Sequence, residues 1–279
     1  MINRDGYALD RQFGFKSKRS TEDAILKLRD LVSGSQERHV IGILFDISGA
    51  FNNMWWPGLL IRLQERQCPR NLYRLISAYF SNRKVMMISD YGKQKRRESK
   101  GAPQGSVLGP VCWNLPLDNL LQVLDDAGIE VIVYSGITMV VIEARNRKEV
   151  KGQRALDIIC RWCKENKLKI SIPKPGFIYL KGWLRDTKRI KIILEGERLQ
   201  HVSDTKYLGM IGDERLKVEK HVLDVASQSE VKFQKLSRLS RNEMGLRSGS
   251  KLKLYTSVFI PILFTERFYF HVPIANTVI

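Results

Sequence analysis

No stretch of the sequence stays apolar for long. The longest apolar run, 258–264, contains Pro261 and is followed by Glu266 and Arg267, whereas a membrane-spanning helix needs about 20 consecutive apolar residues. Residues 1–14 have no apolar core either, so we do not expect a signal peptide. These absences predict a nuclear or cytoplasmic protein with no membrane partner.

Cysteine is scarce. The four cysteines are scattered, at Cys68, Cys112, Cys160 and Cys163. Such spacing gives no disulfide framework, so a reducing compartment is expected. Cys160 and Cys163 have the spacing of a zinc-binding pair, but no second Cys or His pair lies near them in the sequence. They lie beside Ile159 and Trp162 in a helical pattern, which favours buried helix packing over a metal site.

Acidic residues are few. The 279 residues include 29 Asp and Glu against 47 Lys and Arg, which gives a net charge of +18 and an isoelectric point of about 9.9. A balance this basic indicates an acidic partner, and nucleic acid is the usual one. Hydrophobic residues make up 43% of the chain and charged residues 27%, so we expect a folded protein with a substantial core.

One apolar run ends in a single acid. Residues 40–45 are apolar and are followed by Asp46, then by the small-residue turn 48–50 and by Phe51. Runs of this length bounded by turn residues are typical of buried strands. Because an unpaired buried carboxylate is costly, Asp46 either caps the following turn or serves a function. This stretch alone leaves both interpretations open.

Hydrophobic periodicity predicts helices and short strands along the rest of the chain. Helices are expected from Ser20 or Thr21 through Leu31, at 55–66, 71–79, 115–124 and 147–168, and from 216 onward. Hairpins are expected at 85–99, turning at 90–92, and at 130–142, turning at Ser135-Gly136, with short strands at 176–183, 190–194, 198–202 and 206–211. The adjacent acids Asp125 and Asp126 fall at a helix end, so they are not predicted to bind metal.

Seven collinear segments together resemble one family. The sequence FDISGAF at 45–51, GAPQGSVLGP at 101–110 and the hairpin at 130–142 resemble the palm of reverse transcriptases. The similarity is greatest to the polymerases of non-LTR (LINE-type) retrotransposons, especially insect elements that insert into ribosomal RNA genes. The other segments resemble, in order, a fingers motif, a later palm motif, the primer grip and the start of the thumb, at 12–25, 162–174, 205–216 and 232–255.

This resemblance implies an α+β fold, the right-hand polymerase palm, with an antiparallel sheet plus helices. It divides the chain into partial fingers at 1–38, a palm at 39–215 with a fingers insertion at about 67–100, and an incomplete thumb at 216–279. The earlier fingers strands of the family have no counterpart in this sequence.

The resemblance also implies an RNA-directed DNA polymerase, a nucleotidyltransferase that uses Mg²⁺. Two metal ions in such a centre clamp the attacking and leaving oxygens, and carboxylates hold the ions. By resemblance, Asp46 is the first of these acids, and the backbone carbonyl of Ile47 also faces a metal ion. Three groups of residues are implied to contact the incoming nucleotide. Phe51 would lie beneath its sugar, and Lys174 would lie near the departing pyrophosphate. Gln104 and Gly105 would contact it from a loop of small residues that also contains Gly101 and Pro103.

Basic residues outside this centre are implied to contact nucleic acid. Near the amino terminus these are Lys16, Lys18 and Arg19, which are implied to face the template or the triphosphate. In the thumb they are Lys232, Lys235, Arg238 and Arg241, which recur every third residue and predict a cationic helix face. The expected partners are an RNA template, a DNA primer or target DNA, and deoxynucleoside triphosphates if the enzyme is active.

The hairpin predicted at 130–142 differs from the family in the residues of its turn. The family has a Tyr-x-Asp-Asp turn there, whereas this chain has Tyr134, Ser135, Gly136 and Ile137, so both acids are replaced. Because one carboxylate holds two divalent ions poorly, we expect impaired Mg²⁺ binding and little or no polymerase activity. Three hypotheses remain: a working reverse transcriptase domain, a non-catalytic nucleic-acid-binding protein, or a decayed retrotransposon copy without function.

Overall fold

The fold is organised around strand β1, His39–Ile47, which contains the apolar run identified in the sequence. The computed structural model describes residues 10–90, 92–144, 151–171, 176–182, 191–213, 216, 219–239 and 248–260. β1 is buried along nearly its whole length, because strands pair with both of its edges and side chains of the surrounding helices join its core. This central position fixes where Asp46, near the end of the strand, is delivered.

Helices and short strands alternate along the chain. The helices are α1 (Thr21–Gly34), α2 (Ala50–Asn53), α3 (Trp56–Glu65), α4 (Arg70–Phe80), α5 (Leu108–Asp126), α6 (Gly152–Glu165), α7 (Glu219–Leu239) and α8 (Ser248–Leu254), with a π-helical turn at Tyr255–Phe259. The strands after β1 are β2 (Lys84–Ser89), β3 (Gly92–Arg97), β4 (Glu130–Tyr134), β5 (Ile137–Ala144), β6 (Ile170–Ser171), β7 (Gly176–Lys181), β8 (Ile193–Leu194), β9 (Glu197–Arg198), β10 (Gln200–His201), β11 (Asp204–Tyr207) and β12 (Met210–Asp213). No helix within the described ranges is long and apolar enough to cross a membrane.

The main sheet has six strands. Its order is β10-β7-β1-β5-β4, and β6 pairs with the end of β1. β1 and β5 are antiparallel, in a register that runs from His39 opposite Ala144 to Asp46 opposite Ile137. β7 pairs with the other edge of β1 and is also antiparallel, whereas β10 runs parallel to β7. This largely antiparallel sheet, with helices packed on it, is an α+β arrangement of the kind predicted.

Helix α5 supplies much of the core that covers the sheet. Its residues Trp113, Leu117 and Leu120 are fully buried, as their three- and four-residue spacing predicts for an apolar helix face. Helix α1 begins as the sequence predicts, with a capping box in which Ser20 and Asp23 satisfy each other's backbone N–H groups.

The segment before α1 covers the edge of the sheet at β4. The backbone N–H of Phe13 donates to the Val133 carbonyl, and the N–H of Val133 donates to the Arg11 carbonyl, each at 2.8 Å. These bonds satisfy backbone groups that an edge strand would otherwise expose. Directly afterwards, Gly14 passes the turn between β4 and β5 so closely that a Cβ on it would lie 2.3 Å from the Ser135 nitrogen.

The hairpin formed by β2 and β3 pairs with no other strand of the described chain. Its register runs from Lys84 opposite Arg97 to Ser89 opposite Gly92, so the hairpin predicted at 85–99 is confirmed. Every residue of both strands is exposed. The hairpin is therefore held by its own backbone bonds and by its base, where Glu98 N–H donates to the Arg83 carbonyl at 3.0 Å.

The chain divides into two compact units, Met1–Val202 and Ser203–Ile279. In the second unit, β11 and β12 form a hairpin. The N–H of Ile211 on β12 donates to Nδ1 of the buried His221 on α7 at 3.3 Å, which joins hairpin and helix. The predicted domain boundaries at 38, 66, 100 and 215 stay predictions.

Three details differ from the sequence-based expectations. The single strand predicted at 198–202 is wrong, because two short strands, β9 and β10, lie on either side of Leu199. The single strand predicted at 206–211 is wrong, because Leu208 and Gly209 adopt positive φ angles of 50° and 94° and turn the chain between β11 and β12. Helix α2 was not predicted, and it starts after Gly49, whose φ is 55°. The start of the predicted helix at 147–168 and parts of the strands predicted at 176–183 and 190–194 lie outside the described residues.

The close approach of Gly14 gives a stability prediction. We expect Gly14→Ala to lower the free energy of unfolding by about 1–3 kcal/mol, because the added methyl group meets rigid backbone. Gly34→Ala, at the end of α1 with nothing within 4 Å of its added Cβ, is the matched control and should change stability little. Urea unfolding followed by circular dichroism measures both, and equal effects would contradict the close contact.

Candidate active site

Asp46 lies against the turn that connects β4 and β5. The Asp46 and Ile137 residues are directly opposite in the β1–β5 register, and Ile47 N–H donates to the Gly136 carbonyl at 3.2 Å. A Cβ placed on Gly136 would lie 2.9 Å from Asp46 Oδ1 and 3.5 Å from the Ile47 carbonyl oxygen. The fold thus brings together the predicted first acid, the predicted carbonyl ligand and both positions at which acids are predicted to have been replaced.

The turn itself is tightly held. Ser135 adopts a positive φ of 64°, which suits a two-residue hairpin turn. Its carbonyl accepts a hydrogen bond from Nε1 of the buried Trp113 at 3.0 Å, and Gly14 packs against its backbone nitrogen. Gly136 is buried but does not adopt a positive φ, so its backbone could accept a side chain.

The environment of Asp46 disfavours its charge. Burial raises the pKa of the Asp46 carboxyl above its ordinary value, and a hydrogen bond with the Ile47 backbone opposes the rise. An apolar residue, Ile137, occupies the paired position on β5. Without an acid at Gly136 there is no like-charge neighbour there, so desolvation rather than carboxylate repulsion dominates this pKa.

The donor set does not fit a centre for two magnesium ions. Across the described ranges, no group of three or more His, Cys, Asp or Glu side chains is placed so that it could hold a metal ion. At the turn, Asp46 contributes one carboxylate and Ile47 one carbonyl, while Gly136 has no side chain. Mg²⁺ requires several oxygen ligands in octahedral geometry, and two ions share carboxylates in such centres.

Phe51 is fixed beside this turn by two aromatic rings. Its ring centroid lies 5.3 Å from that of Phe15 in an edge-on arrangement and 6.4 Å from that of Trp113. Edge-on and offset ring pairs stabilise such arrangements. Phe51, the residue expected beneath the nucleotide sugar, directly follows Ala50 in the chain. The Cβ of Ala50 is 3.7 Å from the Cβ position of Gly136.

The loop of small residues after the β2–β3 hairpin is anchored to the α2 region. Gly101 N–H donates to the Met54 carbonyl at 2.8 Å, and Ala102 N–H donates to the Phe51 carbonyl at 2.7 Å. A Cβ on Gly101 would lie 2.7 Å from the Asn52 carbonyl oxygen, which explains the glycine. These bonds fix the start of the loop beside Phe51.

The two loop residues predicted to contact the nucleotide come directly after this anchor. Gln104 and Gly105 are exposed. Gly105 has a positive φ of 82° and no atom within 4 Å of its Cβ position. Backbone and amide groups of the loop are therefore accessible to a ligand, although their roles stay predictions.

The basic residues near the amino terminus differ in their surroundings. Lys16 lines a cleft of about 410 Å³ with Arg66 and Asp118, and burial lowers its pKa although Asp118 raises it. Arg19 pairs with Asp10 at 3.0 Å and lies over the Phe13 ring. Lys18 is exposed. Arg19 thus already has protein partners.

The remaining predicted contacts lie elsewhere. Lys232, Lys235 and Arg238 are exposed on α7 in the second unit, and Phe233 between them is 47% exposed. Lys174 and Arg241 lie outside the described residues.

The two pairs that sequence analysis set aside, Asp125-Asp126 and Cys160-Cys163, both lie on helices. Asp125 lies in the last turn of α5 and pairs with Arg11 at 2.5 Å. Cys163 is buried in α6, and burial raises its pKa to about 12, which is the opposite of what a zinc-binding thiolate needs. Both predictions, a helix end and a packed helix, are confirmed.

Sequence reasoning did not identify several supporting residues. Trp113 holds the turn and Phe15 holds Phe51. Asn53 connects two motifs, because its Nδ2 donates to the Ser48 carbonyl at 3.1 Å and its Oδ1 accepts from Lys100 Nζ at 2.7 Å. Phe15 lies within a recognised segment, and Trp113 and Asn53 follow one by two or three residues. The partners Ser135 of Trp113 and Lys100 of Asn53 lie 22 and 47 positions away in the chain, which no local pattern reveals.

Comparison with known proteins identifies a matching family model and sequence relatives of this chain. The family model described as reverse transcriptase (RNA-dependent DNA polymerase) matches residues 7–211. The Pol polyprotein of the type-1 retrotransposable element R1 of Bradysia coprophila is 31% identical over 251 residues, which cover 89% of this chain and 25% of that protein. The RNA-directed DNA polymerase of the mobile element jockey of Drosophila melanogaster is 24% identical over 263 residues, 91% of this chain and 28% of that protein. The chain thus spans about a quarter of the length of these relatives.

Solved structures show the same fold at low sequence identity. Apo telomerase from Candida tropicalis superposes with a TM-score of 0.54 at 10% identity, over 78% of this chain and 38% of the telomerase chain. The same enzyme in complex with a TWJ fragment of telomeric RNA gives 0.55, also at 10% identity and over 78% of this chain and 35% of the telomerase chain. The predicted right-hand polymerase fold is confirmed.

The raised pKa of Asp46 predicts how stability depends on pH. The folded state holds the proton of Asp46 more tightly than the unfolded state, so stability falls as pH rises from the unfolded pKa through the folded pKa. We therefore expect Asp46→Asn to be more stable than the parent at pH 7 and to lose that advantage near pH 3. Thermal melts across this pH range, with the exposed Asp30→Asn as control, measure the difference. A destabilised Asp46→Asn at pH 7 would contradict the electrostatic interpretation.

The space beside Gly136 predicts how a restored acid behaves. In metal-free buffer at pH 7, Gly136→Asp should be about 1–2 kcal/mol less stable than the isosteric Gly136→Asn, because two close carboxylates disfavour each other's charge. Millimolar Mg²⁺ should raise the melting temperature of Gly136→Asp and leave Gly136→Asn and the parent unchanged, since a ligand stabilises the form that binds it. An equal shift in the parent would show that Asp46 suffices for the ion.

Proposed function

The chain belongs to the reverse transcriptase (RNA-dependent DNA polymerase) family, and on that premise we propose that it is a non-LTR retrotransposon polymerase domain with a disabled nucleotidyl-transfer centre. One observation carries the proposal: the Cβ position of Gly136 lies 2.9 Å from Asp46 Oδ1. An acid at this position would share a metal ion with Asp46, and Gly136 offers none. Ile137, the other replaced position, is the strand partner of Asp46.

The loss of ligands explains why catalysis should be weak. Reverse transcriptases as a family require divalent metal ions, whose stabilisation of the transition state is worth several kcal/mol. Because each ~1.4 kcal/mol is a factor of ten in rate, the loss of two ligands should lower the rate on the order of a thousandfold or more. We expect Mg²⁺ binding to be correspondingly weak.

Substrate binding does not depend on these acids. The Phe51 ring, the anchored loop at 101–105 and the turn at 135–136 all keep ordered positions through apolar packing and backbone bonds. Arginine and lysine attract phosphates with or without a metal ion, and the chain carries a net charge of +18. We therefore propose that the domain still binds template, primer and nucleotide, as an RNA-bound telomerase neighbour supports.

Primer extension on an RNA template tests the proposal. The parent should extend a DNA primer with Mg²⁺ at a rate on the order of a thousandfold below that of the double variant Gly136→Asp/Ile137→Asp. Asp46→Ala in the double variant should abolish extension, since the restored centre needs all its acids.

Two outcomes would contradict the proposal. Efficient extension by the parent that disappears with Asp46→Ala would show a working polymerase. No extension by the double variant, although it folds and binds template, would show that the two acids are not what limits this chain.

A further inference from the structure

The β2–β3 hairpin carries charges and apolar side chains in an order that suggests a ligand. Directly opposite residues of an antiparallel pair lie on the same face, and faces alternate along each strand. The observed register therefore gathers on one face the six residues Lys84, Met86, Ile88, Lys93, Lys95 and Arg97. We call this set the hairpin face. It has four cations and no acid.

The hairpin face is accessible. All six residues are exposed, and Met86 and Ile88 are 51% and 67% exposed. Arg97 donates to Asn82 Oδ1 at 3.1 Å, which orients its guanidinium without neutralising it. Large apolar side chains exposed next to one another on a hairpin that no other described strand covers are a sign of an interaction site.

The opposite face of the hairpin differs in charge. It carries Val85 opposite Arg96 and Met87 opposite Gln94, so it has similar apolar residues but one cation. Arg96 also approaches Glu98, at 3.9 Å. The two faces of one small hairpin thus provide a matched comparison, because they are similar in exposure and differ mainly in the number of cations.

We propose that the hairpin face binds single-stranded nucleic acid, with its cations on the phosphates and with Met86 and Ile88 against unstacked bases. Single-strand sites combine a cationic track with side chains on which bases lie. Lys93 and Lys95 stand two residues apart on β3, about 6.8 Å along the strand, so their ammonium groups can contact separate phosphates. A duplex hides its bases, so apolar residues between the cations favour a single strand.

The position of the hairpin in the chain agrees with this role. Three residues, 98–100, connect β3 to the loop at 101–105 that is expected to contact the nucleotide and template. The hairpin that binds an unpaired nucleic-acid strand would therefore be connected directly to that loop. The inference rests on the proposed function, because it names where that domain holds an unpaired strand.

A second copy of the chain is a weaker candidate for the occupant. The hairpin face would meet an identical face in a symmetric dimer, and eight cations with no acid would then be brought together. Like charges directly opposite one another are destabilising. The net charge of +18 opposes such association further.

Binding titrations with the full chain test the inference. The probes are a labelled oligothymidylate of about 20 nucleotides, longer than the roughly 4–16 nucleotides that one compact domain covers, and a duplex of the same length. Fluorescence anisotropy at several salt concentrations gives the affinity and its salt slope. Lys93→Gln/Lys95→Gln should reduce the magnitude of the single-strand slope by about 1.4, or 0.7 for each lost phosphate contact. Lys27→Gln/Arg96→Gln removes two exposed cations off the face and should leave the slope nearly unchanged.

The apolar residues provide a second, independent comparison. Met86→Ser/Ile88→Ser should weaken single-strand binding several-fold and leave duplex binding unchanged, whereas Val85→Ser/Met87→Ser, on the opposite face, should alter neither. All four residues are exposed, and circular dichroism checks that each variant folds. Equal losses from the two faces, or a loss on the duplex as large as on the single strand, would overturn the inference. A change of oligomeric state in light scattering with unchanged binding would assign the face to a second copy and would also overturn it.

A double variant on α7 separates this inference from the proposed function. If Lys232→Gln/Lys235→Gln weakens binding and the hairpin variants do not, the inference fails while the proposed function stands. If the hairpin variants lose single-strand binding as expected but Gly136→Asp/Ile137→Asp shows no primer extension, the inference stands and the proposed function fails. If the parent binds neither probe, both fail.

Discussion

The backbone hydrogen bond from Ile47 to the Gly136 carbonyl, 3.2 Å long, fixes how the central strand meets the turn between β4 and β5. The candidate site depends on this contact, because it sets the register that places Asp46 opposite Ile137. A slip of one residue would turn the Asp46 side chain to the other face of the sheet. Trp113 and Gly14 hold the same turn from other directions, so the geometry of the site is determined by several elements at once.

None of these supports involves an acid. The geometry of the turn therefore does not depend on acids at positions 136 and 137. Strand pairing needs backbone groups and apolar side chains, and the turn needs only residues that tolerate its φ angles. A cluster of carboxylates without metal is itself destabilising, because burial and like charge both disfavour ionisation. A turn with Gly136 and Ile137 at these positions therefore avoids this stability cost, in line with the general trade-off between stability and active-site function. Asp46 has a raised pKa because it is partly buried.

The sequence predicted the helices and strands well and the contacts of the site less completely. Helices and strands follow local patterns, whereas the contacts of the site join distant segments. The apolar run before Asp46 and the turn at Ser135-Gly136 are local patterns, so β1 and the β4–β5 hairpin could be placed from spacing alone. The resemblance to a family then predicted which residues meet. The roles of Trp113, Phe15 and Asn53 arise from contacts between distant segments, and no periodicity encodes them. The turn within 206–211 was missed because Leu208 is not a usual residue for a positive φ angle.

The number of acids at the turn also affects how phosphates would bind beside it. In a metal-containing polymerase, the ions offset the repulsion between active-site carboxylates and the phosphates of the substrate. A centre that binds no metal but keeps three acids would repel those phosphates, whereas this chain presents a single acid whose raised pKa weakens even that charge. The net charge of the whole chain is +18, and a single acid at the turn places less negative charge beside phosphates than three acids would. Under the proposed function, the residues at Gly136 and Ile137 therefore need not disable nucleic-acid binding.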